Sequence, residues 1–291
     1  MSGEIRGIFP IVYTPFDASG QLDREDLVRL VDYLIEAGAH GLAAVGGASE
    51  CHKLTIAERK TLAELTIGAA RDRVPVLVGT SATCIADSVD LTRHAAAIGA
   101  VGVFCTPPLY GPMTTDATRS LYRQLAPVTD RPILIQDATA PVPVSLIAEL
   151  GREAPNLRWV KEEATDSGHR ISELRSACPA GVSIMSGGSY LIDDLARGAR
   201  GAIPGSIGVG DLARAYNAYV AGDEVAARAA YDHFLPLSYW RRQFPLLGAK
   251  EVLRRLGVFK AAHLREPAGP RLDEQDFREL SLILEKMGPP F

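Results

Sequence analysis

With 291 residues, 47% of them hydrophobic and 23% charged, the chain has the composition of a globular protein with a full core, which sets disorder aside. A formal net charge of −4 leaves no basic field to hold nucleic acid or an anionic membrane surface. The amino terminus lacks an apolar leader and no run approaches a membrane span, so a cytoplasmic protein is expected, with Cys51, Cys84, Cys105 and Cys178 reduced.

Gly7 to Tyr13 is a short apolar segment ending in Thr14-Pro15-Phe16, and it reads as a strand before a turn at Asp17 to Gly20. Asp23 caps a helix whose Leu27, Leu30, Val31, Leu34 and Ile35 recur at helical spacing until Gly38 closes it. The alternation then repeats. Strands are expected at 41–45, 74–78, 102–105, 133–135, 157–160, 182–185 and 202–203. Thr55-Ile-Ala-Glu58 has the form of a capping box opening the second helix. Further helices are expected at 86–98, 115–128, 144–153, 168–177 and 190–197.

Eight short strands, each apolar on both faces, predict a parallel sheet covered by helices. That number fits a closed (β/α)8 TIM barrel better than an open sheet. We therefore expect an α/β protein: residues 1–222 as the catalytic barrel and 223–291 as a helical extension packed on it. The extension predicts three helices, Asp223–Leu237, Arg241–Leu256 and Asp273–Met287. Trp240-Arg241-Arg242 within it reads as a solvated face or a subunit contact.

Active sites of such barrels lie at the carboxyl ends of the strands. At the end of the apolar run Leu157 to Val160 stands Lys161, with Glu163 two residues on. A lysine leaving water there must pair or lose its proton, and a neutral amine is a nucleophile. Side-chain alternation puts Glu163 on the same side as Lys161 and Glu162 on the other, so an amine and a carboxylate converge. Taken by itself the motif also suits a lysine reaching solvent beside a compensating glutamate. Other strand ends carry Gly46-Gly47-Ala48-Ser49, Tyr110, Gln136, Gly187-Gly188 and Ile203. The two late glycine loops lack an adjacent cation, so a substrate carboxylate or close packing suits them better than phosphate. The histidines show no ligand spacing, and no metal site is expected. Cys51-His52 is adjacent in sequence, but neighbouring side chains on an extended segment diverge, which argues against a thiol catalyst.

Taken in order, these residues resemble the dihydrodipicolinate synthase/N-acetylneuraminate lyase family of Schiff-base barrels. The likeness runs through G-I-F-P-I-V-Y-T-P-F, L-T-I-A-E-R, R-V-P-V-L-V-G-T and V-K-E-E, and places Lys161 on the family's Schiff-base lysine. The family's G-T-T-G-E loop is here Gly46-Gly-Ala-Ser-Glu50, and its Y-N-x-P-x-R motif is Gln136-Asp-Ala-Thr-Ala-Pro141. A lysine-biosynthesis synthase is therefore not implied. Ser49, Gln136, Lys161 and Glu163 match the 2-keto-3-deoxy-L-arabonate dehydratase branch instead.

The resemblance implies a lyase that needs no cofactor beyond the lysine imine, a small 2-keto acid as substrate, and a homo-oligomer, tetramer or dimer. Lys161 would condense with the ketone, Glu163 take a C3 proton, Ser49 or the protonated Glu163 help the C4 hydroxyl leave, and Gln136 hold a hydroxyl or water. Gly46, Gly47, Ala48, Tyr110, Gly187, Gly188 and Ile203 would line the substrate. A class I pyruvate aldolase is the alternative, and a non-catalytic keto-acid-binding barrel a second.

Overall fold

A computed structural model describes residues 5–107, 114–138, 141–178, 181–188, 190–269 and 271–288. Eight parallel strands form the barrel: β1 Gly7–Ile8, β2 Leu42–Ala44, β3 Val76–Gly79, β4 Gly102–Cys105, β5 Ile133–Asp137, β6 Trp159–Glu162, β7 Ser183–Ser186 and β8 Gly201–Ala202. Their order is β1-β8-β7-β6-β5-β4-β3-β2, and the ring closes between its first and last members through the parallel bridge Ile11↔Ala43. Only two residues of the expected first strand ladder regularly, because Pro10 has no N–H to offer. The segment still runs on, with Phe9, Ile11 and Val12 donating to the carbonyls of Ala202, Pro204 and Ala43.

The helices of the barrel are α1 Arg24–Glu36, α2 Ile56–Ala70, α3 Ile85–Ala97, α4 Thr115–Leu125, α5 Val144–Glu153, α6 Ser167–Ala177, α7 Leu191–Ala196 and α8 Val209–Val220. Local chemistry sets several of their starts. The Asp23 carboxylate accepts from the N–H groups of Glu25 and Asp26, and Thr55 and Glu58 exchange the paired bonds of a capping box.

Strand alternation divides the core in two. Ile5, Phe9, Leu77, Phe104, Leu134 and Met185 fill the inside of the barrel, while Val76, Val78, Val103, Ile133, Ile135, Val160 and Ile184 pack outward against the helices. On β6 this parity sends Trp159 inward and Val160 outward, so Lys161 returns to the interior, above the apolar plug.

The helical extension comprises α9 Glu224–Arg241, α10 Leu247–Arg255 and α11 Glu274–Met287. Here the sequence-based boundaries shift. Instead of stopping at Leu237, α9 runs through Pro236 to Arg241, and the next helix starts at Leu247. The buried stripe Ala227, Tyr231, Phe234, Leu237 and Trp240 continues across the proline, and its packing outweighs the missing backbone bond. Arg241 thereby becomes the last residue of α9.

Candidate active site

A cavity of about 750 Å³ opens at the carboxyl ends of the strands. The parallel register sets Gln136 of β5 against Lys161 of β6, and Glu163 stays extended because its N–H donates to the Asp137 carbonyl at 2.7 Å. The three side chains meet. Lys161 Nζ donates to Glu163 Oε2 at 2.9 Å, and Gln136 Nε2 donates to the same oxygen at 2.8 Å. Lys161 is buried, whereas the Glu163 side chain keeps 36% of its surface accessible. The Phe104 ring lies 5.6 Å from the Lys161 nitrogen, an apolar and weakly cation-attracting floor. Glu163 Oε1 takes no partner among the described residues, so one carboxylate oxygen is anchored and the other is available.

Gly187 belongs to the same spot for a steric reason: a Cβ on it would lie 2.7 Å from Glu163 Cγ. Gly46, Gly47, Ala48 and Ile203 also line the cavity. The turn after β2 presents the N–H groups of Gly47 and Ala48 with no backbone acceptor among the described residues, suited to an anionic oxygen. Its two flanks, Val45 at φ 61° and Glu50 at φ 55°, are left-handed without being glycine. Such strain persists only where surroundings impose it.

At Glu50 the surroundings are electrostatic. Its buried carboxylate accepts from Lys250 Nζ at 2.6 Å and Lys53 Nζ at 3.0 Å, so α10 clamps the turn. Burial lowers the Lys250 pKa to about 8, with the Glu50 charge opposing that shift. The Phe16 ring has Lys250 Nζ and the Arg265 guanidinium each 4.6 Å from its centroid.

Some expected residues stand elsewhere. Ser49 is fully buried: its hydroxyl donates to the Val12 carbonyl at 2.6 Å and accepts from the Gly46 N–H at 3.1 Å. It holds the turn and does not line the cavity. Gly188 is not among the residues that line the cavity, and its N–H donates to Ser186 Oγ at 2.9 Å. Tyr110 lies outside the described residues.

Other groups come into view only with the fold. Tyr13, Arg59 and Arg241 line the cavity, and Arg241 is thus more than a plain solvated face. Glu162, pointing away, joins Asp137 and Arg170 in a buried cluster outside the barrel wall. Arg170 pairs with Asp137 and, at 3.3 Å, with Glu162, and it donates to the Val142 carbonyl at 2.9 Å. Burial first, and then the Asp137 charge, push Glu162 up to about 7, while burial also raises Asp137.

No group of three or more candidate metal-binding side chains occurs among the described residues, and none of their helices is long and apolar enough to cross a membrane.

A sequence model of the Dihydrodipicolinate synthetase family matches residues 4–287. The L-2-keto-3-deoxyarabonate dehydratase of Azospirillum brasilense is 30% identical over 98% of this chain and 95% of its own. A 4-hydroxy-tetrahydrodipicolinate synthase of Syntrophus aciditrophicus is also 30% identical, over 80% of this chain and 81% of its own. Among solved structures, YagE of E. coli K12 in complex with pyruvate, a prophage protein of the dihydrodipicolinic acid synthase family, superposes with a TM-score of 0.90 at 26% identity. The match covers 97% of this chain and 98% of that one. A matched family model over almost the whole length, around a barrel of the same shape, has one meaning: the chain belongs to the Dihydrodipicolinate synthetase family and is a lyase.

Proposed function

We propose that this lyase forms an imine between Lys161 and the ketone of a 2-keto-3-deoxy sugar acid, and removes one water from it. The observation that carries this reading is the convergence of Lys161, Glu163 and Gln136 through two bonds to a single oxygen inside the cavity. The ammonium must shed a proton before it attacks, and Glu163 stands within hydrogen-bond distance to take it. Attack at C2 and loss of the ketone oxygen as water, with the proton that Glu163 took from the amine delivered to that oxygen, give the iminium, which acidifies C3, and restore the Glu163 carboxylate. Glu163 then removes a C3 proton, and the enamine electrons expel the C4 hydroxyl. The proton that hydroxyl needs comes back from Glu163, because the Ser49 hydrogen is committed to the Val12 carbonyl. Addition of water to the conjugated iminium restores the amine and releases an unsaturated keto acid, which for a five-carbon substrate becomes the semialdehyde when a proton shifts from C5 to C3 and the resulting enol ketonises. Gln136 holds the carboxylate in place throughout, and the N–H groups of Gly47 and Ala48 suit the substrate's C1 carboxylate. The likeness to a dehydratase over nearly the full length supports this reaction.

Borohydride reduction in the presence of pyruvate tests the imine: a pyruvate-derived mass increment on the Lys161 peptide is expected, and its absence refutes the reading. Product analysis with a 2-keto-3-deoxypentonate tests the reaction type. A ketoglutarate semialdehyde is expected; pyruvate with a two-carbon aldehyde means aldol cleavage instead.

A further inference from the structure

We propose that Arg241, with the Tyr13 phenol in the same wall, forms a subsite for a carboxylate at the far end of the substrate, so that the enzyme prefers a 2-keto-3-deoxy diacid to a mono-acid ending in a hydroxymethyl group. This builds on the proposed reaction at Lys161 and specifies its substrate.

Charge is the first argument. Among the described residues lining the cavity the cations are Lys161, Arg59 and Arg241, and Glu163 is the single acid. Burial and the neighbouring Lys53 hold His52 below its ordinary value, so it stays neutral at neutral pH. Lys161 and Glu163 answer each other at 2.9 Å. The Arg59 guanidinium is held by the Leu54 and Ser81 carbonyls at 3.2 and 2.8 Å, which take its Nε–H and one Nη1–H and leave its charge in place. No carboxylate pairs with Arg241 among the described residues. The cavity therefore holds two guanidinium charges that no carboxylate among the described residues balances. One carboxylate balances half of this; two balance it.

Donors are the second argument. Tyr13 is 1% exposed, and its hydroxyl lies beside the Ser206 backbone and the Arg241 side chain without a well-formed hydrogen bond to any described residue, a costly state for a buried polar group. Residue 205 is glycine where a Cβ would fall 2.3 Å from that oxygen, so the backbone makes room for the phenol. Burial pushes Tyr13 up while the Arg241 charge pulls it down, as adjacency of the two requires, and the phenol remains a donor. A guanidinium fork beside an O–H donor matches the two oxygens of a carboxylate. A hydroxymethyl group offers one oxygen and no charge.

The test uses ligands that cannot form an imine, 2-hydroxyadipate and 2,6-dihydroxyhexanoate, which have equal length and differ at the far end. By calorimetry the native enzyme should bind the diacid roughly ten- to a hundredfold more tightly. Arg241→Gln should shrink that gap to within about threefold, Arg241→Lys should keep part of it, and Tyr13→Phe should fall between native and Arg241→Gln. Equal binding of the two acids by the native enzyme, or a gap that survives Arg241→Gln, overturns the proposal. Because these ligands bypass the lysine, failure of pyruvate trapping with the diacid preference intact removes the imine and leaves the subsite standing.

Discussion

Strands β5 and β6 carry two clusters, offset by one residue, that behave in opposite ways. Gln136 and Lys161 are register partners facing the cavity, and Asp137 and Glu162 are the next partners, facing the helices. Inside, one amine and one amide share a single carboxylate oxygen and leave its twin open to ligand. Outside, one guanidinium clasps two acids, and a Val142 N–H and an Ala164 N–H fill further lone pairs. Pleating alone separates the carboxylate with an oxygen to spare from the two whose oxygens are all taken. The inner cluster has the properties of a reacting centre and the outer one of a brace that keeps the two strands in register.

Mutations at the two clusters should therefore fail in different currencies of measurement. The largest effect is expected from Lys161→Ala, which should abolish turnover and borohydride labelling in a protein that still unfolds cooperatively; surviving turnover would mean that the amine is not the nucleophile. Glu163→Gln should slow labelling with pyruvate without abolishing it, because water can also take the ammonium proton, while lowering kcat by roughly 10²–10⁴; turnover at the native rate would remove Glu163 as the proton-transfer group. On the outer face, Arg170→Met should remove about 3–5 kcal/mol of stability, because it strands two buried acids. Urea unfolding followed by far-UV circular dichroism would check it. An unchanged midpoint would show that the brace bears no strain.

The smallest effect should be a change in pH dependence. Glu162 has an ordinary value of 4.5 and sits at about 7 in the fold, so the fold favours its protonated form. That contribution is complete below 4.5 and is lost as pH rises through 7. Glu162→Gln fixes the uncharged form. Its Tm should hold steadier than that of the native protein from pH 5 to 8, and parallel curves would remove Glu162 as the cause.

How much of this could be read beforehand follows the range of each interaction. A period of two along a single apolar strand was enough to bring Glu163 to Lys161, since both lie on one short segment. The capping pair Thr55 and Glu58 was legible for the same reason. Ser49 advertised a hydroxyl but not its acceptor, the Val12 carbonyl, which arrives from another strand. The Glu50–Lys250 contact and the approach of Arg241 to Tyr13 join the start of the chain to its last helices, where no spacing rule reaches. Arg241 was further hidden by Pro236, a residue that ordinarily ends a helix and here does not.

The clamp of α10 on Glu50 has a consequence for anyone who would treat the barrel as an interchangeable cassette. Cutting the chain after residue 222 would deprive Glu50 of Lys250 and take away Arg241, loosening the turn after β2 and removing one of the cavity's cations. Grafting the last three helices from a relative would alter both at once. Recombination at that seam is thus a route to new selectivity that leaves the reacting amine untouched.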